Sequence, residues 1–339
     1  MKLNKTNLQK ALEIVQPGLA TRELIEQSTS FVFMDGRVTT YNDEISISHP
    51  IPNLGIEGAI QSTELYQMLA KLKKDEIEAD VDENELILKA GRAKIGITLQ
   101  QEITLPLEQI GEQGKWKKLP EDFIQAIQFA LGACSRDMSR PVLTCIHVNQ
   151  EEGCIESSDS LRLVQIGLES QIPIKSFLIP ASSAIELVKL PVTKVATGKG
   201  WIHFKTEEDT VFSSRIFEDK YPELTPFMGV EGIEITFPRT ISDILDRAGV
   251  FAKRDHFLDE VIVVHIADNR IKVSSRSESG WFEEEANTRY NDSPVSFLIV
   301  PYLLKDILSE TRTCVICEDR LKFEGLNWKY VSVLREEVE

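Results

Sequence analysis

The sequence predicts an α+β protein made of three copies of one helix-and-sheet module. Three observations predict this: one apolar helical spacing occurs six times, the helices return at a long interval, and β-rich segments bounded by turn residues separate them. The chain has 339 residues, enough for several domains that each bury a core. We expect module 1 to span 1–115, module 2 116–232 and module 3 233–339, with boundaries in segments punctuated by glycine and charge.

Each predicted helix carries four apolar residues at i, i+3, i+4 and i+7, a spacing that places them on one face. The first helices of the modules have the quartets Leu8-Ala11-Leu12-Val15, Phe123-Ala126-Ile127-Ala130 and Ile241-Ile244-Leu245-Ala248. The second helices have Leu65-Met68-Leu69-Leu72, Ala181-Ala184-Ile185-Val188 and Val300-Leu303-Leu304-Ile307. Both sets repeat every ~115 to 119 residues, longer than a solenoid repeat, so each copy is a small domain.

Short segments rich in β-branched and aromatic residues lie between the helices and predict strands. They are Ser30–Met34, Ile45–Ser48, Leu86–Lys89, Lys94–Leu99, Val142–Val148, Leu163–Leu168, Trp201–Lys205, Val261–Ile266, Arg270–Ser274 and Leu321–Phe323. Turn formers such as Asp35-Gly36 and Asp268-Asn269 bound them. Each module therefore reads as a helix, several strands, a second helix and further strands.

The net charge of −16 argues, as a total, against a nucleic-acid partner, because phosphate binding depends on Lys and Arg. The distribution of charge points the other way. Acidic residues concentrate in Lys74–Glu85, Glu207–Asp209 and Glu283–Glu285, whereas basic residues lie on or beside all six predicted helices. A solvated polar face explains any single lysine. Recurrence on all three helix pairs indicates a basic surface.

The membrane and disulfide-rich classes fit the sequence poorly. No run of eighteen apolar residues occurs, and Met1–Thr6 lacks a signal pattern, so we expect a soluble cytoplasmic protein without a membrane partner. Five cysteines, an odd number, favour reduced thiols. Cys314 and Cys317 form a CxxC in a strand-like run, which sends their side chains to opposite faces and argues against a zinc site.

An enzyme is a weaker alternative. The five histidines stand apart, and metalloprotease, nucleophile-elbow and phosphate-loop motifs are absent from the sequence. The best candidate is the segment Asp255–Glu260, whose carboxylates and imidazole suit a divalent metal, although an exposed loop explains it as well. We predict no catalytic residue, no metal and no cofactor, and keep a metal-dependent hydrolase as the less favoured alternative.

Five segments in the middle and last modules carry a family resemblance. They are Arg140–Thr144 (RPVLT), Ser157–Leu163 (SSDSLRL), Phe177–Ala181 (FLIPA), Ser214–Pro222 (SRIFEDKYP) and Phe297–Leu308 (FLIVPYLLKDIL). In order and spacing they resemble the bacterial DNA sliding clamp family, the β subunit of DNA polymerase III. The first module resembles that family in pattern only, at Leu8–Val15 and Gly91–Ile97.

The resemblance implies a head-to-tail homodimer that forms a ring, with helices lining a hole around duplex DNA and strands outside. Twelve helices about 10 Å wide leave a bore of about 28 Å, whereas six leave about 9 Å. A duplex needs about 20 Å, so two subunits are required. Contacts inside such a ring are weakly basic and independent of sequence, which allows sliding. The residues expected to face DNA are Arg22, Lys73, Arg136, Arg140 and Arg247.

The family also has a hydrophobic pocket between the middle and last modules, which holds a short peptide of the DNA polymerase and of other proteins with a clamp-binding motif. An ATP-dependent clamp loader is a further implied partner. The wall carried over to this chain consists of Leu143, Ser158, Ser160, Leu161, Arg162, Leu163, Pro222, Pro226, Phe227, Val331, Ser332, Val333 and Leu334. Core burial is an equal alternative for Leu143 and Leu163, and turn chemistry is one for Pro222.

This chain departs from the family pattern at the pocket. Ser160 and Leu161 replace a glycine and an aromatic residue or histidine, Pro226 replaces a basic residue, and Arg335–Glu339 extends the C-terminus. The resemblance therefore implies an altered peptide preference, and this drift suits a clamp of a phage or mobile element.

The family's subunit junction maps to Ile95 on one side and to Val250 with Phe251 on the other. Core burial is the alternative for Ile95, whereas Phe251 follows Gly249 near a helix end, where partner contact is more credible. A repeat-built scaffold that binds only proteins, and does not encircle DNA, remains the main alternative to a clamp.

Overall fold

The computed structural model describes residues 1–111, 114–254 and 260–335. Residues 255–259, most of the metal-site candidate, lie outside them. The chain divides into two compact units, unit 1 (Met1–Gln125 with Glu169–Glu218) and unit 2 (Ala126–Leu168 with Asp219–Glu339). Helices and antiparallel sheets alternate along it, so the predicted α+β class is confirmed. The boundaries of the three modules stay a prediction.

Six α-helices lie in the described residues, where the six quartets predict them. They are α1 (Lys5–Val15), α2 (Ser62–Lys71), α3 (Phe123–Leu131), α4 (Ala181–Leu187), α5 (Ile241–Ala252) and α6 (Pro301–Lys305). All four quartet residues are buried in α1, in α3, in α5 and around α6. In α2 only Leu65 and Leu69 are fully buried.

The quartet predicted for α4 is wrong at one position. Ile185 is 49% exposed, whereas Ser183, Ala184 and Leu187 are buried. Two apolar stripes overlap in this short helix, one containing Ile185 and one containing Leu187. Periodicity alone cannot choose between them, and packing selects the second.

The described residues form twenty-four strands. They are β1 (Lys2–Asn4), β2 (Ser30–Met34), β3 (Arg37–Tyr41), β4 (Ile45–Pro50), β5 (Gly58–Gln61), β6 (Glu76–Asp82), β7 (Glu85–Ala90), β8 (Ala93–Thr98), β9 (Lys117–Lys118), β10 (Cys145–Asn149), β11 (Cys154–Ser158), β12 (Arg162–Gly167), β13 (Phe177–Pro180), β14 (Val192–Thr197), β15 (Trp201–Thr206), β16 (Val211–Arg215), β17 (Ile233–Thr236), β18 (Ile262–Ala267), β19 (Arg270–Ser277), β20 (Gly280–Asn287), β21 (Val295–Ile299), β22 (Thr313–Ile316), β23 (Arg320–Glu324) and β24 (Trp328–Val333).

Unit 1 contains an eight-stranded sheet in the order β5-β2-β3-β4-β16-β15-β14-β9. Its two four-stranded halves join where β4 pairs antiparallel with β16, from Ser48 opposite Val211 to Ile45 opposite Ser214. A second sheet of unit 1 has the order β1-β6-β7-β8, which leaves β8 at an edge. Helices α1 and α2 contact each other, and the Tyr66 hydroxyl donates to Glu13 across the pair.

Unit 2 repeats this plan. Its strands follow the order β10-β11-β12-β24-β23-β22-β17, with antiparallel pairing of β12 and β24 as the junction. A separate sheet has the order β20-β19-β18-β21 and leaves β20 at an edge. Helix α5 packs on β19 and β20 and also contacts α6.

Two kinds of strand prediction need correction. The first three residues of the predicted strand Val142–Val148 belong instead to a 3₁₀ helix, Pro141–Thr144, which begins at a proline that lacks the N–H of a strand ladder. The ten predicted strands overlap β2, β4, β7, β8, β10, β12, β15, β18, β19 and β23, and the other strands are absent from the prediction. Among these, β6 carries four acidic residues and β20 three glutamates, a composition that argues against a strand. In β6 the acidic side chains face solvent while Ile77 and Ala79 are buried, so alternation outweighs composition.

The side chain of His203 on β15 is fully buried in unit 1. Its Nδ1 lies 2.9 Å from Ser213 Oγ, and its Nε2 has no hydrogen-bond partner in the described part of the chain. Burial lowers the pKa of His203 from 6.5 to about 4. The imidazole is therefore neutral in the fold at neutral pH.

We expect unit 1 to lose stability as the pH falls from 6.5 towards 4, because the unfolded chain then binds a proton that the buried ring resists. The loss attributable to this ring is about 3 kcal/mol over that window. His203→Gln keeps a hydrogen-bonding partner for Ser213 and should flatten the profile between those pH values. Urea unfolding at several pH values measures this. Parallel profiles for the two proteins would show that another group controls the acid sensitivity.

Candidate functional site

Sheet pairing in unit 2 brings together pocket residues that are distant in sequence. Across the β12–β24 junction, Arg162 lies opposite Ser332 and Leu163 opposite Val331. On the other side of β12, Leu163 lies opposite Ser158 of β11. The N–H of Val333 donates to the carbonyl of Leu161 at 2.9 Å, which continues the pairing past the end of β12.

The turn between β11 and β12 is fixed by its own side chains. One carboxylate oxygen of Asp159 accepts from the backbone N–H groups of Leu161 (3.0 Å) and Arg162 (2.9 Å). The Ser158 hydroxyl donates to the carbonyl of Arg162 at 2.8 Å. Ser160 has φ +75°, a left-handed conformation that favours glycine. The glycine that the sequence resemblance implies at this position would suit that backbone, whereas serine adds a hydroxyl there.

Arg162 is almost fully buried and is held by two carboxylates. Its Nε donates to Asp159 at 3.1 Å and its Nη1 to Asp306 at 2.6 Å. The guanidinium also lies over the Tyr302 ring, 5.0 Å from its centroid. Tyr302 and Asp306 escaped the sequence prediction. Two signals could have found them: both lie in the family segment Phe297–Leu308, and a buried arginine requires a carboxylate partner.

Burial sorts the thirteen expected pocket residues into two groups. Leu143, Ser158, Arg162, Val331, Ser332 and Leu334 are buried. Ser160, Pro222, Pro226, Phe227 and Val333 are exposed, and Leu161 and Leu163 are half-buried. Phe227 (52% exposed) and Val333 (37%) offer the largest accessible apolar side chains of the set. The six buried residues can act only as support, whereas the exposed and half-buried residues are accessible to a ligand.

The segment that carries Pro222, Pro226 and Phe227 is anchored to the same sheet at its start. Tyr221 is buried and stacks on His147 of β10, with ring centroids 5.1 Å apart. Pro226 and Phe227 follow in a 3₁₀ helix, Thr225–Phe227. Tyr221 thus fixes the position of the start of the segment that carries Pro222, Pro226 and Phe227.

The five residues expected to face DNA fall on both units and differ in their pairing. Arg22, Lys73 and Arg136 are exposed, and none has an ion-pair partner in the described ranges. Arg140 donates to the Ser160 hydroxyl at 3.1 Å, so it also touches the pocket turn. Arg247 binds Glu284 through two hydrogen bonds of 2.8 Å each.

The expected junction residues lie at or near the two edge strands. Ile95 is half-buried on β8, and Val250 is 61% exposed on α5. Phe251 is half-buried rather than exposed, because its ring packs on the backbone of Gly280 at the start of β20, where an added Cβ would come within 2.8 Å of the ring. Trp281, the next residue, is 64% exposed, and the sequence prediction missed it.

Comparison with solved structures identifies the fold of the chain. No family model and no curated protein matches the chain. Solved structures match it from end to end, covering 99% of this chain and 99% of theirs. They include the DNA polymerase III subunit beta of Pseudomonas aeruginosa (TM-score 0.85, 16% identity) and two clamps, a DnaN sliding clamp of Bartonella birtlesii bound to griselimycin (0.87, 17%) and the DNA polymerase sliding clamp of Bacillus subtilis (0.83, 20%). The chain has the DNA sliding-clamp fold.

The fold implied by the sequence resemblance is therefore confirmed. Within this clamp fold, a cavity of about 580 Å³ lies in unit 2 and is lined by residues that include Ile233, Val295, Ile316 and Cys317. None of the thirteen expected pocket residues lines it. In the described ranges no three His, Cys, Asp or Glu side chains form a group that suits a metal ion. No helix there is long and apolar enough to cross a membrane.

Proposed function

We propose that the protein is a DNA sliding clamp that closes as a homodimer around duplex DNA and tethers a DNA polymerase and other proteins by short peptides. The sliding-clamp fold over 99% of the chain carries this proposal, because the matching structures are DNA polymerase III beta subunits. We place this clamp in the cytoplasm, where it would enclose DNA and bind partner peptides and would not act as an enzyme. An ATP-dependent loader that opens the ring is part of the proposal.

Two free sheet edges support closure as a ring. Junctions β4–β16 and β12–β24 each join two groups of strands by antiparallel pairing, whereas within the described residues the four-stranded sheets that end at β8 and at β20 have no such junction. Pairing β8 of one subunit with β20 of the next would complete the same plan and protect both edges. A head-to-tail contact of this kind closes when two subunits form two equal junctions.

Docking of a peptide is supported by the composition of the exposed pocket group. Phe227, Pro226 and Val333 are accessible apolar side chains of the expected pocket, and Val333 pairs with Leu161, the residue after Ser160. Apolar side chains over a rigid support are typical of a site that takes short anchored peptides. The serine and leucine at 160 and 161 favour a peptide preference unlike that of other clamps. This divergence also suits an origin in a phage or mobile element.

Topological binding predicts retention that does not depend on affinity. After assembly on nicked circular DNA, the protein should survive a high-salt wash, because salt weakens phosphate contacts but does not open a ring. Cutting the circle should release it, since the ring then slides off an end. Gel filtration of the DNA with labelled protein measures retention. Equal loss from circular and linear DNA, with dimers present, would reject encirclement and favour a scaffold that binds only proteins.

A further inference from the structure

Carboxylates hold both basic side chains on the helix pair of unit 2. Arg247 on α5 donates from Nε and Nη2 to the two oxygens of Glu284, each at 2.8 Å. In this bidentate pair, Glu284 occupies the two guanidinium N–H donors that would otherwise bind a phosphate. Lys305 on α6 pairs with Asp246 of α5. Asp243 adds a further exposed negative charge to α5.

The helix pair of unit 1 is different. Lys10 on α1, Lys71 at the end of α2 and Lys73 two residues beyond it are exposed and have no ion-pair partner among the residues that the structure describes. Glu13 on the same pair instead accepts a hydrogen bond from Tyr66 at 2.9 Å. The helices of unit 1 therefore present free positive charge, whereas the two basic side chains within α5 and α6 of unit 2 are paired.

We infer that Glu284 and Asp246 are built-in counterions that keep the α5–α6 face of the clamp close to neutral, so that Arg247 contributes little to DNA binding. The inference rests on the proposed function and changes the role expected for Arg247. Phosphate binding is driven by release of condensed counterions, which requires uncompensated positive charge. A carboxylate 2.8 Å away compensates Arg247 well inside the screening distance of about 8 Å. The α5–α6 face therefore binds phosphates only weakly and hinders sliding little.

Strand alternation supplies a matched control for Glu284. Its neighbour Glu285 also pairs with an arginine, Arg270, at 3.1 Å. Successive side chains of β20 point to opposite faces, so Glu284 lies on the side of α5 and Glu285 on the other side. Glu284→Gln and Glu285→Gln therefore remove the same charge and free the same kind of side chain on opposite faces of one sheet.

The experiment measures the affinity for duplex DNA between about 50 and about 200 mM salt, where each added phosphate contact steepens the logarithmic slope by about 0.9. Glu284→Gln should steepen the slope by about 0.9 for each Arg247 that then contacts a phosphate, and each such contact adds ~3.5-fold weakening over the range. Asp246→Asn, which frees Lys305, should do the same. Glu285→Gln should leave the slope unchanged. Sedimentation of each variant verifies that the assembly is the same.

Two results would overturn the inference. One is an unchanged slope for both Glu284→Gln and Asp246→Asn. The other is an equal steepening by Glu285→Gln, since that would be an effect of net charge and not of one face. Failure of the proposed function has a separate signature, the absence of wild-type retention on nicked circular DNA.

Discussion

Val250→Arg should convert the protein to a monomer and abolish its retention on circular DNA. Val250 is 61% exposed on α5, so the change leaves the core of unit 2 intact, and arginine suits a helix better than valine. At the proposed junction the new guanidinium would be buried without a carboxylate, which costs several kcal/mol. We expect dimer dissociation to increase at least about 100-fold. Sedimentation over a concentration series measures it.

Leu326→Arg is the matched control, because Leu326 is fully exposed at the turn between β23 and β24 and also exchanges an apolar side chain for arginine. It should remain a dimer. Phe251→Arg is a less clean test, since the Phe251 ring packs on Gly280 within its own unit. An unchanged dimer mass for Val250→Arg would place the junction away from the end of α5.

Replacing both Phe227 and Val333 by alanine should abolish peptide docking while the ring still forms. These side chains are the largest accessible apolar groups of the expected pocket. Loss of one central apolar anchor typically costs about 2 kcal/mol, or roughly 30-fold in affinity, and two anchors cost more. Fluorescence anisotropy with a labelled peptide that carries a polymerase clamp-binding motif measures the effect.

Substitution is a better test than truncation here. Removing the chain from Val331 onwards would delete half of β24, which pairs with both β12 and β23. Val331 and Ser332 are fully buried, so unit 2 would lose part of its core. Leu326→Ala serves as the control, with peptide affinity and circular-DNA retention both unchanged. Wild-type peptide affinity in the double variant would mean that the pocket lies elsewhere.

Prediction from sequence succeeded where local spacing decides the structure. The quartets of α1, α3 and α5 are buried as predicted, because a helix repeats every 3.6 residues whatever lies around it. It failed where two local patterns compete, as at Ile185 in α4. It also missed β6 and β20. In β6 the acidic side chains of one face hide the alternation, whereas in β20 the consecutive Glu283–Glu285 place charge on both faces.

The candidate pocket was predicted only in part. The resemblance supplied the residues around β12 and β24, and the sheet register brings them together. Asp306, Tyr302 and Tyr221 lie in the family segments Phe297–Leu308 and Ser214–Pro222 but were not predicted as pocket residues, although they fix Arg162 and the start of the Pro222 segment. Their roles depend on contacts between elements far apart in sequence, for which spacing carries no signal.

The sequence by itself determined the repeat, the α+β class and the positions of the six helices, because these follow from short-range periodicity. Only the tertiary structure decided which strands meet at the two junctions, which edges stay free and which charges are compensated. Arg247 illustrates the difference. Along the chain it is one more basic residue on a helix, but folding places Glu284 against it. Ion pairing and burial depend on distances in space, which local periodicity does not specify.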